Sequence, residues 1–238
     1  MKSAQANVIE AANDREPASH LFSGLDVAAM PGDRQPPVKQ LSRHEMLFGE
    51  GDAGGRYYEV LEGVVCSFRV LHDGRRQILS FSYPGDIVGI GHELECKCSC
   101  EAVSPARVRC ITAAALARSL DERPELARRL LSVATSELAS MHDHFVMVGR
   151  KSATEKLASF LLALARREDA AESATVTFQL PMTRTDIADF LGLTIETVSR
   201  RFTALRKRGV IELLQTTRVR VNDMRRLEEL ADGEVEIC

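Results

Sequence analysis

Glu196, Ser199 and Arg200 lie within little more than one helical turn and have the types and spacing needed to read base-pair edges. Arg200 can donate two parallel hydrogen bonds to guanine O6 and N7. Glu196 can accept from the cytosine N4 amino group, and Ser199 is short enough to let a base or a thymine methyl approach. The plainer alternative is a surface ion pair between Glu196 and Arg200, four residues apart, worth roughly 0.3 kcal/mol. Thr183, Thr185, Thr197, Arg201 and Arg218 carry donors suited to phosphate oxygens and complete the candidate surface. A second group offers different chemistry. Cys96, Cys98, Cys100 and Cys110 form C-x-C-x-C-x9-C, and four thiolates suffice for an iron-sulfur cluster or a zinc ion. Residues two apart in an extended strand share a face but lie about 6.6 Å apart, so the alternating thiols converge on one metal only if the segment bends. Reversible thiol oxidation, a polar surface loop with incidental thiols, and Cys66 and Cys110 as small core residues are the other readings.

The elements that must present Arg200 are legible around it. Residues 182–208, MTRTDIADFLGLTIETVSRRFTALRKR, read as two short helices about a glycine turn. Thr183 or Thr185 can cap the first, Asp186 suits its first turn, and Ile187, Ala188, Phe190 and Leu191 form its inner face. Gly192 ends that helix. Thr194 can cap the second, in which Ile195, Val198, Phe202 and Leu205 recur at spacings of three and four and leave Glu196, Ser199 and Arg200 on another face. In a helix-turn-helix the second helix lies in the major groove, which is the placement the base-reading trio requires. Residues 210–214 and 218–222 read as the strands of a wing, with Arg218 at its tip.

Charge distribution agrees where net charge is silent. The chain of 238 residues carries a net charge of -3, yet residues 183–226 hold ten Lys/Arg against five Asp/Glu, followed by an acidic tail from Glu228. A basic module within an acidic chain is suited to phosphate contact. No apolar signal core or membrane-length run is present, so a cytoplasmic location is expected, where the six cysteines are thiols rather than disulfides. No Ser/His/Asp or paired-carboxylate constellation and no phosphate-binding loop of the Walker type supports an enzyme.

Upstream, the period changes. Residues 1–36 are polar and read as a loosely ordered extension. Residues 37–121 alternate short β-rich runs, such as VVCSFRV and RQILSFSY, which have the branched and aromatic content of half-buried strands, with turn signals at His72-Asp73-Gly74 and Tyr83-Pro84-Gly85-Asp86, predicting a small antiparallel roll. Residues 122–149 form a long helix in which Leu126, Leu130, Val133, Leu138, Met141, Phe145 and Val148 make a near-heptad stripe. A helix of about 25 residues spans about 37 Å, longer than one small roll can cover, so the stripe is read as a seam with a second subunit. Histidines 142 and 144 on that helix are read as surface or seam residues. Residues 150–227 make the winged helix-turn-helix domain and 228–238 an acidic tail.

The segment DIADFLGLTIETVSRRFTAL resembles the DNA-binding signature of the Crp/Fnr regulators. Together, GRRQILSFSYPGDIVGI and LPMTRTDIADFLGLTIETVSR are most similar to the FixK-type branch. The resemblance implies an α+β chain: an N-terminal antiparallel β-roll like a cyclic-nucleotide-binding domain, a long dimerisation helix and a C-terminal winged helix-turn-helix. It also implies a homodimeric activator of microaerobic or anaerobic respiration or nitrogen-fixation genes that binds double-stranded DNA at a TTGAT-like inverted repeat. By the same resemblance, the hairpin tip around Arg75 and Arg76 touches RNA polymerase. Nucleotide-binding members carry a Gly-Glu and an Arg-x-Ala that hold the cyclic phosphate, where this chain has Gly91-His92-Glu93 and a cysteine-rich acidic run without arginine; a cyclic nucleotide is therefore not expected. The oxygen-sensing Fnr proteins use an N-terminal cysteine cluster and one central cysteine. Cys110 matches the central position, but no cysteine precedes Cys66, so the usual cluster is missing. A sensor gated by an iron-sulfur cluster or thiol oxidation at Cys96, Cys98, Cys100 and Cys110 stands as the alternative.

Overall fold

A computed structural model describes residues 36–92, 94–168 and 175–234; the expected extension up to residue 35, Glu93 and Cys238 lie outside them. Two four-stranded antiparallel sheets form the roll. One runs β1 (Val38–Leu41), β8 (Ala106–Thr112), β3 (Arg56–Glu62), β6 (Ile87–Val88), and the other β2 (Met46–Phe48), β7 (Ser99–Ala102), β4 (Val65–Val70), β5 (Arg76–Ser82). Alternation along the strands sends Phe48, Tyr58, Val60, Val65, Ala102 and Val108 into the interior between them. The expected hairpin joins β4 to β5, with Gly74 supplying the left-handed residue (φ 84°) that the turn requires.

Strand β4 departs from its half-buried expectation. Cys66 and Phe68, on the face turned away from the roll interior, are also buried, because with Ile78 they join one continuous core with Phe160, Leu161, Ile187 and Leu191 of the C-terminal domain. Phe190 anchors this junction, its ring centroid 5.1 Å from Phe81 and 5.6 Å from Phe160. His144 stacks on Phe190 at 4.2 Å and so belongs to the junction rather than to the surface or seam expected for it.

Helix α1 (Ala113–Glu122) is capped by Thr112, and α2 (Pro124–Arg150) is the long helix. The expected stripe on α2 proves to be two stripes. Leu126, 3% exposed, packs with Ile87, Ile111 and Leu116 under the chain's own roll, where Leu130 and Val133 join it. The five-residue step from Val133 places Leu138 about 140° around the helix from it. Leu138, Met141 and Phe145 face solvent, Phe145 at 79% exposure, together with Leu131 and Val146, which the sequence reading missed. Leu131, Leu138 and Phe145 stand seven residues apart, as one side of a helix seam requires. Val148 turns to the chain's own glycine turn, a methyl lying 3.4 Å from where a Cβ on Gly192 would stand. Leu126 is thus buried within the chain, and Leu130, Val133 and Val148 are half-buried against it.

Helix α3 (Ala153–Arg167) opens with a reciprocal cap between Ser152 and Glu155. Strand β9 (Val176–Gln179), α4 (Arg184–Leu191), α5 (Ile195–Lys207), β10 (Ile211–Gln215), β11 (Arg218–Val221) and α6 (Met224–Ala231) complete the domain, with the strands ordered β10-β11-β9. The acidic tail expected from Glu228 begins inside α6. Leu227, Leu230 and Ala231, at helical spacing, are buried, and Glu228 pairs with Arg166 at 3.1 Å. Among the described residues no helix is long and apolar enough to cross a membrane.

Candidate nucleic-acid interface

Caps and glycines bound α4 and α5, with Gly192 in the turn between them. Thr183 caps α4, its hydroxyl accepting from the Asp186 amide at 3.1 Å and donating to Asp186 Oδ2 at 2.7 Å. Gly192 ends α4 in the left-handed region at φ 63°, Thr194 caps α5, and Gly209 (φ 72°) follows it. Val198, Phe202 and Leu205 are buried under α5, so Glu196, Ser199 and Arg200 project from the opposite, exposed side. The three base-reading candidates thus share one open face.

Hydrogen bonding shows how Glu196 and Arg200 are held in the chain itself. Among the described residues no ion pair joins them; Arg200 Nη2 instead donates to Thr197 Oγ1 at 3.3 Å, which in turn lies 3.0 Å from Thr194 Oγ1. Backbone hydrogen bonding at its own amide and the Thr194 hydroxyl hold the Glu196 carboxyl below its usual range, with Arg200 adding to the effect. Glu196 is a ready acceptor at neutral pH.

The phosphate candidates differ in readiness. Thr185 and Arg218 are exposed, Arg218 beginning the second wing strand. Thr197 and Arg201 are half-buried. Thr183 is exposed, but its hydroxyl proton is committed to Asp186, so its first task is the cap. Sequence reasoning passed over Arg184, whose guanidinium carbon sits 3.3 Å from the centroid of Phe202 on α5. Burial pushes its pKa down to about 10, which leaves it charged at neutral pH.

Arg76 stands apart from the hairpin tip where it was expected. Its side chain is 23% exposed; Nη2 lies 2.7 Å from Glu101 Oε1 and 3.0 Å from Cys66 Sγ, and Nη1 lies 3.3 Å from Asp186 Oδ1. Strand alternation turns Arg76 inward beside Phe68, which its guanidinium covers at 4.2 Å, while Arg75 is exposed and bonds Asp73 at 2.7 Å. A polymerase contact is therefore withdrawn for Arg76.

The cysteines are likewise corrected. Cys96, Cys98 and Cys100 alternate with Glu95, Lys97 and Ser99 and turn into the roll interior rather than onto a surface loop, with Cys110 packed partly beside them. Burial pushes all four thiols up, Cys100 furthest. The thiolate, which is the nucleophile, is harder to form where burial disfavours its charge. Cys98 Sγ lies 3.7 Å from His92 Nε2, and among the described residues no group of three or more His, Cys, Asp or Glu is arranged to hold a metal ion. A cyclic phosphate fits no better. The described residues of 89–101 contain no arginine, and their lysine, Lys97, lies 3.5 Å from Glu95.

Residues 38–123 match the cyclic nucleotide-binding domain, and residues 155–230 match the Crp-like helix-turn-helix domain. The chain is 43% identical over 190 residues to the nitrogen fixation regulation protein FixK of Bradyrhizobium diazoefficiens, spanning 80% of each chain. It is 39% identical to the transcriptional activatory protein AadR of Rhodopseudomonas palustris, spanning 79% of this chain and 78% of that one. Among solved structures it is similar to FixK2 from Bradyrhizobium japonicum, with TM-score 0.74 and 33% identity over 82% of this chain and 96% of that one. With both domain models matched and a relative at 43% identity over 80% of each chain, the chain belongs to the Crp/Fnr family of DNA-binding transcription regulators.

Proposed function

We propose that this chain is a homodimeric, sequence-specific activator that binds a TTGAT-like inverted repeat without a cyclic nucleotide, contacts RNA polymerase through Arg75, and serves microaerobic respiration or nitrogen-fixation genes. The observation that carries this reading is the open face of α5, where Glu196, Ser199 and Arg200 point away from a fully packed inner face. Leu131, Leu138, Met141 and Phe145 support the dimer, since exposed apolar residues at heptad spacing want a partner helix. Two subunits related by a twofold axis demand a palindromic site. The names of FixK and AadR support the activator role and the gene class. A cysteine-gated sensor draws no comparable support, because its thiols are inward and protonated.

Titration of a labelled inverted repeat with protein purified in air tests the proposal. Tight binding that falls steeply with salt, prefers the repeat over scrambled duplex and ignores added cyclic AMP is expected. Binding that appears only with the nucleotide, or only after anaerobic isolation of a coloured protein, would overturn it.

A further inference from the structure

Two consecutive residues of the roll grip both ends of the first helix of the DNA-reading pair. Arg76 of β5 reaches Asp186 in the first turn of α4, and Gln77 Nε2 donates to the Asp189 carbonyl at 2.7 Å and the Phe190 carbonyl at 3.3 Å near its end. Asp186 has two jobs. Its Oδ2 holds the Thr183 hydroxyl and amide at 2.7 and 2.8 Å, and its Oδ1 receives Arg76. Residue 186 is 4% exposed, and Glu101, the other partner of Arg76, is mostly covered as well. A movement of the roll relative to α4 must therefore break a covered ion pair and disturb the cap of the helix that supports α5.

Such a network is a poor device for stability alone. Desolvating three charged groups offsets much of their attraction, and Arg76 Nε is buried without a partner. What it supplies is registry: a planar guanidinium between two carboxylates admits one orientation, whereas the surrounding apolar junction tolerates sliding. The gripped pose leaves Glu196, Ser199, Arg200 and Thr185 exposed.

We propose that Arg76, with Gln77, is a positioning clamp that holds the helix pair in its DNA-competent pose, doing by built-in contacts what a bound effector would otherwise do. The clamp deepens the ligand-independent DNA binding proposed above and rests on that reading.

The test uses the full-length chain and the inverted repeat. Arg76→Met is expected to lower DNA affinity about tenfold or more, the range of coupling between distant sites, with unchanged assembly state and base preference. Arg76→Lys should recover part of the loss and Gln77→Ala should show a smaller one. Hydrogen exchange should quicken at the amides of α4 and α5 while the strands inside the roll keep their protection. In an Asp186→Ala background, Arg76→Met should change affinity by less than about twofold, because the partner on α4 is already gone. Wild-type affinity in both Arg76→Met and Gln77→Ala, or tighter binding in either, would overturn the clamp; so would unchanged exchange in α4. Should the wild-type chain fail to bind duplex DNA, the functional reading fails, and the exchange measurement still judges the clamp.

Discussion

The recognition helix and the cysteine segment each place reactive side-chain types at close spacing, and the fold treats them in opposite ways. On α5 the polar residues face solvent over a packed apolar side, with Arg200 braced by Thr197 and Glu196 kept ionised. From Glu95 into β7 the alternation runs the other way. Glu95 and Lys97 face out and the three thiols line the interior, where burial keeps them protonated. Residue type proposes a chemistry; which face the backbone turns outward decides whether it is available. Helix α2 repeats the contrast along its length, closed at Leu126 and open at Leu138, 53% exposed.

The largest effect is expected where that second contrast is broken. Leu138→Asp would set a charge in the seam, at a cost on the order of 3 kcal/mol or more if it stays ionised. Sedimentation should then show folded monomers, and affinity for the inverted repeat should fall on the order of a hundredfold with loss of the second half-site. Leu126→Asp should instead lower the melting temperature of the roll, because its neighbours are Ile87, Ile111 and Leu116. A Leu138→Asp chain that remains dimeric would mean the open stripe is not the seam.

Much of this was legible beforehand. The caps at Thr183 and Thr194, the turn at Gly192 and the open trio follow from local rules of helix termination and amphipathic spacing, and all are observed. Two of the failures share a cause, since they depended on contacts between distant segments. Arg76 looked like a hairpin-tip residue because Asp186 lies 110 positions away, and β4 looked half-buried because the domain covering its outer face comes later in the chain. Leu227, Leu230 and Ala231 signal a helix that the density of carboxylates obscured.

Arg218→Ala sharpens the first contrast from the DNA side. A wing residue that meets only phosphate should weaken binding to every sequence alike and make the salt dependence shallower by about one unit of slope, with base preference intact. Selective loss on some sequences would move Arg218 to the base-reading group.

The smallest effects belong to the closed region. Cys96→Ala and Cys98→Ala should alter DNA affinity by less than about twofold, since they share no partner with α5. In native protein at pH 8, Cys66, Cys96, Cys98 and Cys100 should resist iodoacetamide and become reactive only in denaturant, as peptide mapping would reveal. Stability should respond to alkali as well. The Cys66 thiol is pushed up to about 12 by burial, while an unfolded thiol ionises near about 8.5, so the neutral form favours folding below that pH and the advantage is lost as pH rises toward 12. Cys66→Ala should flatten that part of the profile; an unchanged slope would place the titration elsewhere.

Selection of DNA from randomised half-sites by the wild type and by Arg200→Ala tests the central claim most directly. If Arg200 reads guanine, the variant should lose about 1 to 3 kcal/mol per half-site and lose preference at that base pair while keeping it at the others. An Arg200→Ala chain that binds more weakly but selects the same sequence would contradict the account and make this arginine a backbone contact.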